Sequence, residues 1–255
     1  MIYIAFIILT LLLLLFAFYQ WQYFMVFSPL YYRKEPLCDE CSLLSITTDD
    51  GIELEGALYE PKSPYATMLV FVGRSHDAVG LINRFAKLYP HLRIIMFNYR
   101  GYGKSQGIPN EKNLFEDGLK ITQLVQKNYG DFYLLGFSIG SSVATYVASK
   151  VNVKALFLIG AFDSIPALAA RKFGIKFSFL IRYRFPTQEY VQDISADTYL
   201  FVNRDDETTY IENARRLKHA IKNLAYYKEF EGLSHKDLLL DTRVVTKIKD
   251  IISEK

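Results

Sequence analysis

Residues 132–140 read FYLLGFSIG, an apolar run that leads into a serine flanked by glycines. The run Phe132 to Phe137 has the length of a buried strand, and a helical pattern follows it. A G-x-S-x-G motif at such a junction predicts a sharp turn that lifts the Ser138 hydroxyl out of the sheet. We therefore predict a nucleophilic serine. The alternative is a serine that only caps the helix in a nucleotide-binding type of turn.

Short apolar segments alternate with helical patterns on both sides of this motif. Strands are predicted at 43–48, 52–59, 68–72, 93–97, 132–137, 155–159, 198–202 and 226–230, and helices at 78–88, 111–126, 143–149, 210–221 and from Lys236 onward. Strands separated by helices predict an α/β fold whose mostly parallel sheet is covered on both faces. Asp49-Asp50-Gly51, between the first two strands, predicts an antiparallel hairpin at one edge.

A serine nucleophile needs a base, and in this arrangement an acid and then a histidine follow the serine along the chain. His219 lies within a predicted helix beside Arg215, Arg216 and Lys218, which favours a solvated surface position. His235 lies in a glycine-containing loop between the last strand and the last helix. A loop at the carboxyl edge of the sheet can reach Ser138, so we predict His235 as the base.

Three carboxylates, Asp205, Asp206 and Glu207, follow the strand at 198–202. Glu207 suits the positive end of the next helix, and position alone leaves Asp205 and Asp206 as alternatives for the acid. The loop after the strand at 68–72 should supply one oxyanion donor. We predict that the backbone N–H groups of Arg74 and Ile139 form the oxyanion hole.

Residues 98–107 read NYRGYGKSQG and are followed by Pro109, Glu111 and Asp117. This stretch resembles the D-Y-R-G-Y-G-x-S-x-G-x-P signature of membrane-associated α/β-hydrolases, also called serine-aminopeptidase-like or "bud emergence" hydrolases. The resemblance extends from about residue 43 to the C-terminus. It implies the α/β-hydrolase fold with an N-terminal helix and a short cap.

The same resemblance implies roles for three residues: Ser138 matches the family's nucleophile, His235 its histidine and Asp206 its acid. The chain also departs from the family. Val72-Gly73-Arg74 replaces an H-G-N loop, Asn203 replaces a glycine, and Thr209-Tyr210 replaces Val-Pro. Because an oxyanion hole requires only the backbone N–H, hydrolysis is still expected. The two departures around the acid keep Asp205 as the alternative.

The first 32 residues carry no charged side chain, and residues 2–18 are almost wholly apolar. Tyr and Trp residues follow, as at a membrane interface. A signal peptide would need a basic start and a small-residue cleavage site, which this sequence lacks. We therefore predict an uncleaved transmembrane anchor at 1–27, a juxtamembrane linker at 28–42 and a hydrolase domain at 43–255.

The side of the membrane stays open. Arg33 and Lys34 favour a cytoplasmic domain, whereas a disulfide between Cys38 and Cys41 would favour an exported one. Residues 161–190, rich in Phe, Arg and Lys, predict either an ordinary crossover helix or a short cap over the site.

The net charge of +3 comes with no basic block, so the sequence gives no indication of nucleic-acid binding. We expect no metal and no cofactor. The expected reaction is hydrolysis of an ester, such as a lipid or acyl ester, or of an amide, in a small-molecule or lipid-like substrate near the bilayer. Two alternatives are a carbon–carbon bond hydrolase on the same fold and a non-catalytic, hydrolase-like membrane scaffold.

Overall fold

A computed structural model of the chain describes residues 2–31, 35–174 and 178–254. The strands are β1 (Cys41–Thr47), β2 (Glu53–Tyr59), β3 (Ala66–Phe71), β4 (Leu92–Phe97), β5 (Tyr133–Phe137), β6 (Leu156–Ile159), β7 (Thr198–Asn203) and β8 (Leu224–Phe230). The helices are α1 (Ile2–Val26), α2 (Ala78–Leu88), α3 (Glu111–Tyr129), α4 (Ile139–Ala148), α5 (Ile165–Phe173), α6 (Thr187–Tyr190), α7 (Ile211–Ala220) and α8 (Thr242–Ser253).

The eight strands form one sheet in the order β1-β2-β4-β3-β5-β6-β7-β8. β1 and β2 make an antiparallel hairpin in which Thr47 pairs with Glu53, and β2 is antiparallel to β4. The remaining neighbours are parallel. The predicted fold is confirmed, with the hairpin at one edge. Gly51 lies in its turn at a φ of 82°, which favours glycine.

Two apolar layers enclose the sheet. On one face, buried side chains of the strands pack with Ile82 and Phe85 of α2 and with Ile248 of α8. On the other face, the packing partners include Leu114 of α3 and Val143 of α4. Each fully buried side chain of this size contributes roughly 1.5–3 kcal/mol relative to exposure. With both faces covered, the carboxyl ends of the parallel strands and the loops that follow them are left to form a site.

The last helix begins later than predicted. The sequence pattern placed its start at Lys236, but a 3₁₀ turn occupies Asp237–Leu240 and α8 begins at Thr242. The side chain of Asp241 accepts a hydrogen bond from the backbone N–H of Arg243 at 2.9 Å and so caps the helix there. His235 therefore lies in a loop between the end of β8 and this 3₁₀ turn.

The segment at 161–190 contains two helices, α5 and α6, and a 3₁₀ turn at Ser178–Leu180, so it is more than one crossover helix. Residues 175–177 of this segment lie outside the described residues. Glu111, at the start of α3, accepts hydrogen bonds from the backbone N–H groups of Arg184 and Phe185 at 2.6 and 2.8 Å. These bonds attach the segment, hereafter the cap, to the body of the fold.

The N-terminal helix α1 is 25 residues long and is the one helix among the described residues with the length and apolar composition to cross a membrane. Its first two-thirds is exposed, whereas Gln22, Val26 and the following Phe27 are buried against the rest of the chain. A disulfide joins Cys38 to Cys41, the first residue of β1, which favours the exported alternative. Arg33 and Lys34, on which the opposite argument rests, lie outside the described residues.

Candidate active site

Ser138 lies at the turn between β5 and α4 with φ 55° and ψ −124°, a backbone conformation that costs roughly 1–3 kcal/mol. Glycines make the turn possible. A Cβ on Gly136 would lie 2.5 Å from the carbonyl oxygen of Gly140, and a Cβ on Gly140 would lie 2.2 Å from that of Phe71. The strand and the helix therefore approach too closely for any other residue, and the turn presents the serine hydroxyl at the end of the sheet.

The Ser138 side chain makes no capping hydrogen bond to α4, so the capping alternative is wrong for this serine. Its Oγ lies instead 2.9 Å from Nε2 of His235. The His235 ring stacks on Phe137, with 4.9 Å between ring centroids. A Cβ on Gly160 would lie 3.0 Å from the same ring. The imidazole is thus held between an aromatic face and a glycine, with one nitrogen aimed at the serine.

Asp206 meets the other side of His235, with its Oδ2 2.6 Å from Nδ1 of the imidazole. Its Oδ1 accepts hydrogen bonds from the backbone N–H groups of Thr208 and Thr209 at 2.7 and 2.9 Å, and the Thr209 hydroxyl donates to Oδ2 at 2.7 Å. Burial alone would raise the pKa of Asp206, but the hydrogen bonds from His235 and Thr209 outweigh it and hold the pKa below its ordinary value. The carboxylate is therefore ionised at neutral pH.

Asp205 does not reach His235 through a hydrogen bond. Its exposed carboxylate accepts a hydrogen bond from the backbone N–H of Gly232 at 2.7 Å. The two candidate acids thus occupy different places: Asp206 contacts the imidazole and Asp205 joins the two loops that follow β7 and β8. The structure brings together Ser138, His235 and Asp206, and leaves Asp205 and Glu207 at the rim.

The loop after β3 runs directly beside Ser138. A Cβ on Gly73 would lie 3.0 Å from the Phe137 ring and 3.1 Å from Cβ of Ser138. The Tyr99 hydroxyl donates to the carbonyl of Val72 at 2.8 Å and so holds the start of the loop. Arg74, the next residue, and Ile139, the first residue of α4, therefore flank the serine from two sides.

The 98–107 stretch supports this loop through buried polar contacts. The side chain of Asn98 accepts a hydrogen bond from the backbone N–H of Ala78 at 2.6 Å and donates to Asp77 at 2.9 Å. Arg100 forms hydrogen-bonded ion pairs with Asp117 and Asp50. The residues of the 98–107 stretch are thus structural partners of the loop after β3 and of α3. None of these contacts reaches Ser138.

Comparisons with known proteins agree with the observed fold. A family model described as alpha/beta hydrolase fold matches residues 71–170. The esterase Pf2001 of Pyrococcus furiosus superposes with a TM-score of 0.67 at 18% identity, covering 89% of this chain and 96% of that one. An esterase from Exiguobacterium antarcticum gives a TM-score of 0.63 at 17% identity, over 82% and 98%. This chain has the α/β-hydrolase fold.

Two curated relatives are similar in sequence to this chain. Lysophosphatidylserine lipase ABHD12 of Xenopus tropicalis is 31% identical over 136 residues, which is 50% of this chain and 34% of the relative. Alpha/beta hydrolase domain-containing protein 17C of Mus musculus is 24% identical over 201 residues, 76% of this chain and 62% of the relative. The chain thus spans about a third to three-fifths of these relatives' lengths. The serine-aminopeptidase-like grouping stays a prediction.

Two cavities of the protein are lined by Ser138. The first, of about 440 Å³, is lined by polar and charged side chains that include His76, Asp205, Glu207 and Lys236. The second, of about 220 Å³, is mainly apolar and runs between α1 and the cap. Among the described residues, no group of three or more His, Cys, Asp or Glu side chains could hold a metal ion.

Three contributions to the site were missed by the sequence analysis. Thr209 holds Asp206 through two hydrogen bonds, and Phe137 supports the His235 ring. Their positions beside the candidate acid and serine were a usable signal, since a residue that orients a catalytic group often neighbours it in the chain. The third is the side chain of Arg74, which donates to the carbonyls of Phe24 and Met25 at the end of α1. Nothing in the sequence indicates that contact.

Proposed function

We propose that the protein is a membrane-anchored serine hydrolase that cleaves an acyl ester through an acyl-enzyme on Ser138. The observation that carries this proposal is the pair of contacts made by His235, 2.9 Å to the Ser138 hydroxyl and 2.6 Å to the Asp206 carboxylate. Such a line of groups suits general-base activation of a serine, because the imidazole lies within hydrogen-bond reach of the serine proton that it takes, and the carboxylate holds the other imidazole nitrogen.

In the proposed reaction, the Ser138 oxygen attacks the ester carbonyl and its proton passes to Nε2 of His235. The C–O bond to the alcohol then breaks, and His235 returns the proton to the leaving alcohol. Water then gives a proton to His235 and attacks the carbonyl carbon of the acyl-enzyme. The bond to the Ser138 oxygen breaks, His235 returns the proton to that oxygen, and the acid is released. Asp206 holds the imidazole in the productive tautomer. The backbone N–H groups of Arg74 and Ile139 are the proposed donors to the oxyanion.

The membrane anchor in this proposal is α1. At about 1.5 Å per residue, a helix of this length exceeds the roughly 30 Å of a bilayer's hydrocarbon core. The ester preference is supported by the relatives, because one is called a lysophosphatidylserine lipase and two superposing structures are called esterases. After lysis and alkaline washing, the full-length chain should stay with the membrane fraction. Release of an intact, shortened chain would instead indicate cleavage of a signal sequence.

The nucleophile is tested with a fluorophosphonate probe, which forms a covalent bond with activated serines. The full-length protein should be labelled, and Ser138→Ala should lose the label and the esterase activity together. Ser149→Ala is the matched control, because Ser149 lies at the far end of α4 and its hydroxyl donates only to the Tyr146 carbonyl. Labelling that persists in Ser138→Ala would contradict the proposal.

A further inference from the structure

The apolar cavity beside Ser138 shares lining residues with the polar one. Both are lined by Ser138, Arg74 and Thr208, so they open onto the same serine from different directions. Ile139, the proposed second oxyanion donor, also lines the apolar cavity. A substrate carbonyl at Ser138 can therefore extend one of its two substituents into the polar cavity and the other into the apolar cavity.

The walls of the apolar cavity come from two helices. The anchor helix α1 supplies Phe18, Trp21 and Met25, and the cap helix α5 supplies Ile165, Leu168 and Phe173. The rings of Trp21 and Phe173 meet edge-on, with 5.5 Å between centroids. We call this space the anchor–cap channel. One of its walls is therefore part of the helix that the proposed function places in the membrane.

The end of α1 is fixed to the cap, so this wall has a defined position. The buried side chain of Gln22 donates to the Leu180 carbonyl at 2.9 Å and accepts from the Arg182 backbone N–H at 2.7 Å. Phe27 packs against the Tyr183 ring, with 4.9 Å between centroids. These contacts join the end of α1 to the cap at two positions, whereas a flexible tether would make no such contacts.

Phe18 and Trp21, which line the channel, lie where the docked part of α1 meets its exposed part. In the cap, Phe173 lines the channel and is 44% exposed, and Phe179 is 77% exposed. Exposed aromatic residues next to a helix of membrane-spanning length are typical of a surface that rests in the interfacial layer of a bilayer. The channel thus connects Ser138 with the level at which lipid acyl chains begin.

We infer that the anchor–cap channel binds the acyl chain of the substrate, which enters from the bilayer, while the polar alcohol of the ester occupies the cavity lined by Asp205, Glu207 and Lys236. This inference rests on the proposed function, since the chain is bonded to the carbonyl that Ser138 attacks. It assigns to α1 a second role as a wall of the binding site. The substrate class is an amphipathic ester with a long acyl chain and a polar alcohol.

The first test narrows the channel. Leu168→Trp in the full-length protein should lower kcat/KM for a lauroyl ester by roughly tenfold or more, since pocket contacts of a few methylenes are worth that much. Its kcat/KM for an acetyl ester should stay within about threefold, because a two-carbon acyl group ends near Ser138. Ala170→Trp is the matched control: it adds the same ring on α5 at an exposed position. Equal losses on both esters in Leu168→Trp would overturn the inference.

The second test uses the wild-type chain and so does not depend on the folding of a variant. A fluorophosphonate with a dodecyl chain ending in a diazirine is attached to Ser138 in liposomes and then irradiated. Cross-links should fall in peptides that contain residues 18–26 or 165–173. Cross-links confined to residues 205–207 or 234–236 would overturn the inference while the attachment itself upholds the nucleophile. Failure of the probe to attach at all would instead contradict the proposed function.

Discussion

The two sides of the site are built differently. On the polar side, Ser138, Asp206 and His235 each follow a strand of the sheet, β5, β7 and β8, so the sheet itself sets their separation. On the apolar side, α1 and the cap lie outside the sheet and contact each other through the side chains of Gln22 and Trp21. The proposed chemistry is thus attached to the sheet, and the proposed chain selectivity is attached to added elements that can vary without disturbing it.

The largest effect is expected on the polar side. Asp206→Asn should lower kcat by about 10³- to 10⁴-fold, because the amide cannot hold His235 in the tautomer that accepts the serine proton. The acetyl and lauroyl esters should be affected equally, since the change does not touch the channel. Steady-state kinetics on both esters measures this.

Asp205→Asn makes the same change at the neighbouring residue, which lines the cavity proposed for the alcohol. Because the Asp205 carboxylate contacts Gly232 and not the imidazole, the change should raise KM more than it lowers kcat, and kcat should stay about 100-fold or more above that of Asp206→Asn. A greater loss in Asp205→Asn than in Asp206→Asn would reverse the assignment of the acid.

The sequence predicted the polar side better than the apolar side for a physical reason. Strands and the loops after them have a readable pattern, so the order of strand, serine, acid and histidine along the chain is enough to place these residues at one sheet edge. The choice between Asp205 and Asp206 depends on the direction of each side chain within one turn, which the pattern does not contain. The structure separates them by their partners, His235 and Gly232.

The docking of α1 was not predicted because the helix is apolar on every side. A helix with a polar face indicates which side it buries, whereas a uniformly apolar helix does not. The amide side chain of Gln22, near the end of α1, is buried and forms hydrogen bonds with the cap. A polar residue at this position was the available signal. The sequence likewise shows an arginine at position 74 where the family has asparagine. In the structure, the Arg74 side chain donates a hydrogen bond to the Met25 carbonyl at the end of α1.

A smaller effect should appear where the two sides join. The guanidinium of Arg74 caps the carbonyls of Phe24 and Met25 at the negative end of α1, while its backbone N–H is the proposed oxyanion donor. Arg74→Ala keeps the N–H but frees the loop from the helix. Since a cation at a helix C-terminus is worth about 0.3–1 kcal/mol, kcat should fall by roughly 2- to 5-fold.

A positioning role of Arg74 is distinguished from a role in channel binding by comparing kcat for the two esters. Arg74→Ala should lower kcat for the acetyl and the lauroyl ester alike, in contrast to Leu168→Trp. Arg74→Lys should recover part of the loss, because an ammonium can still donate to one of the two carbonyls. A reduced melting temperature with unchanged kcat would show that the contact stabilises the anchor without affecting the oxyanion loop.

The remaining effect concerns stability, not activity, on the polar side. Burial lowers the pKa of His76 to about 4, and the nearby charges of Lys236 and His235 act in the same direction. Between about pH 6.5 and pH 4, the unfolded chain therefore binds a proton at this residue that the folded chain does not, so stability is lost as the pH falls through this window.

His76→Gln removes that proton uptake. In denaturant unfolding of the full-length protein, wild type should lose about 1–3 kcal/mol more than the variant between pH 7 and pH 4.5. Carboxylates titrate in both proteins and cancel in the difference, so identical pH slopes would mean that His76 is solvated and that the polar cavity is wetter than its packing against Phe137 indicates.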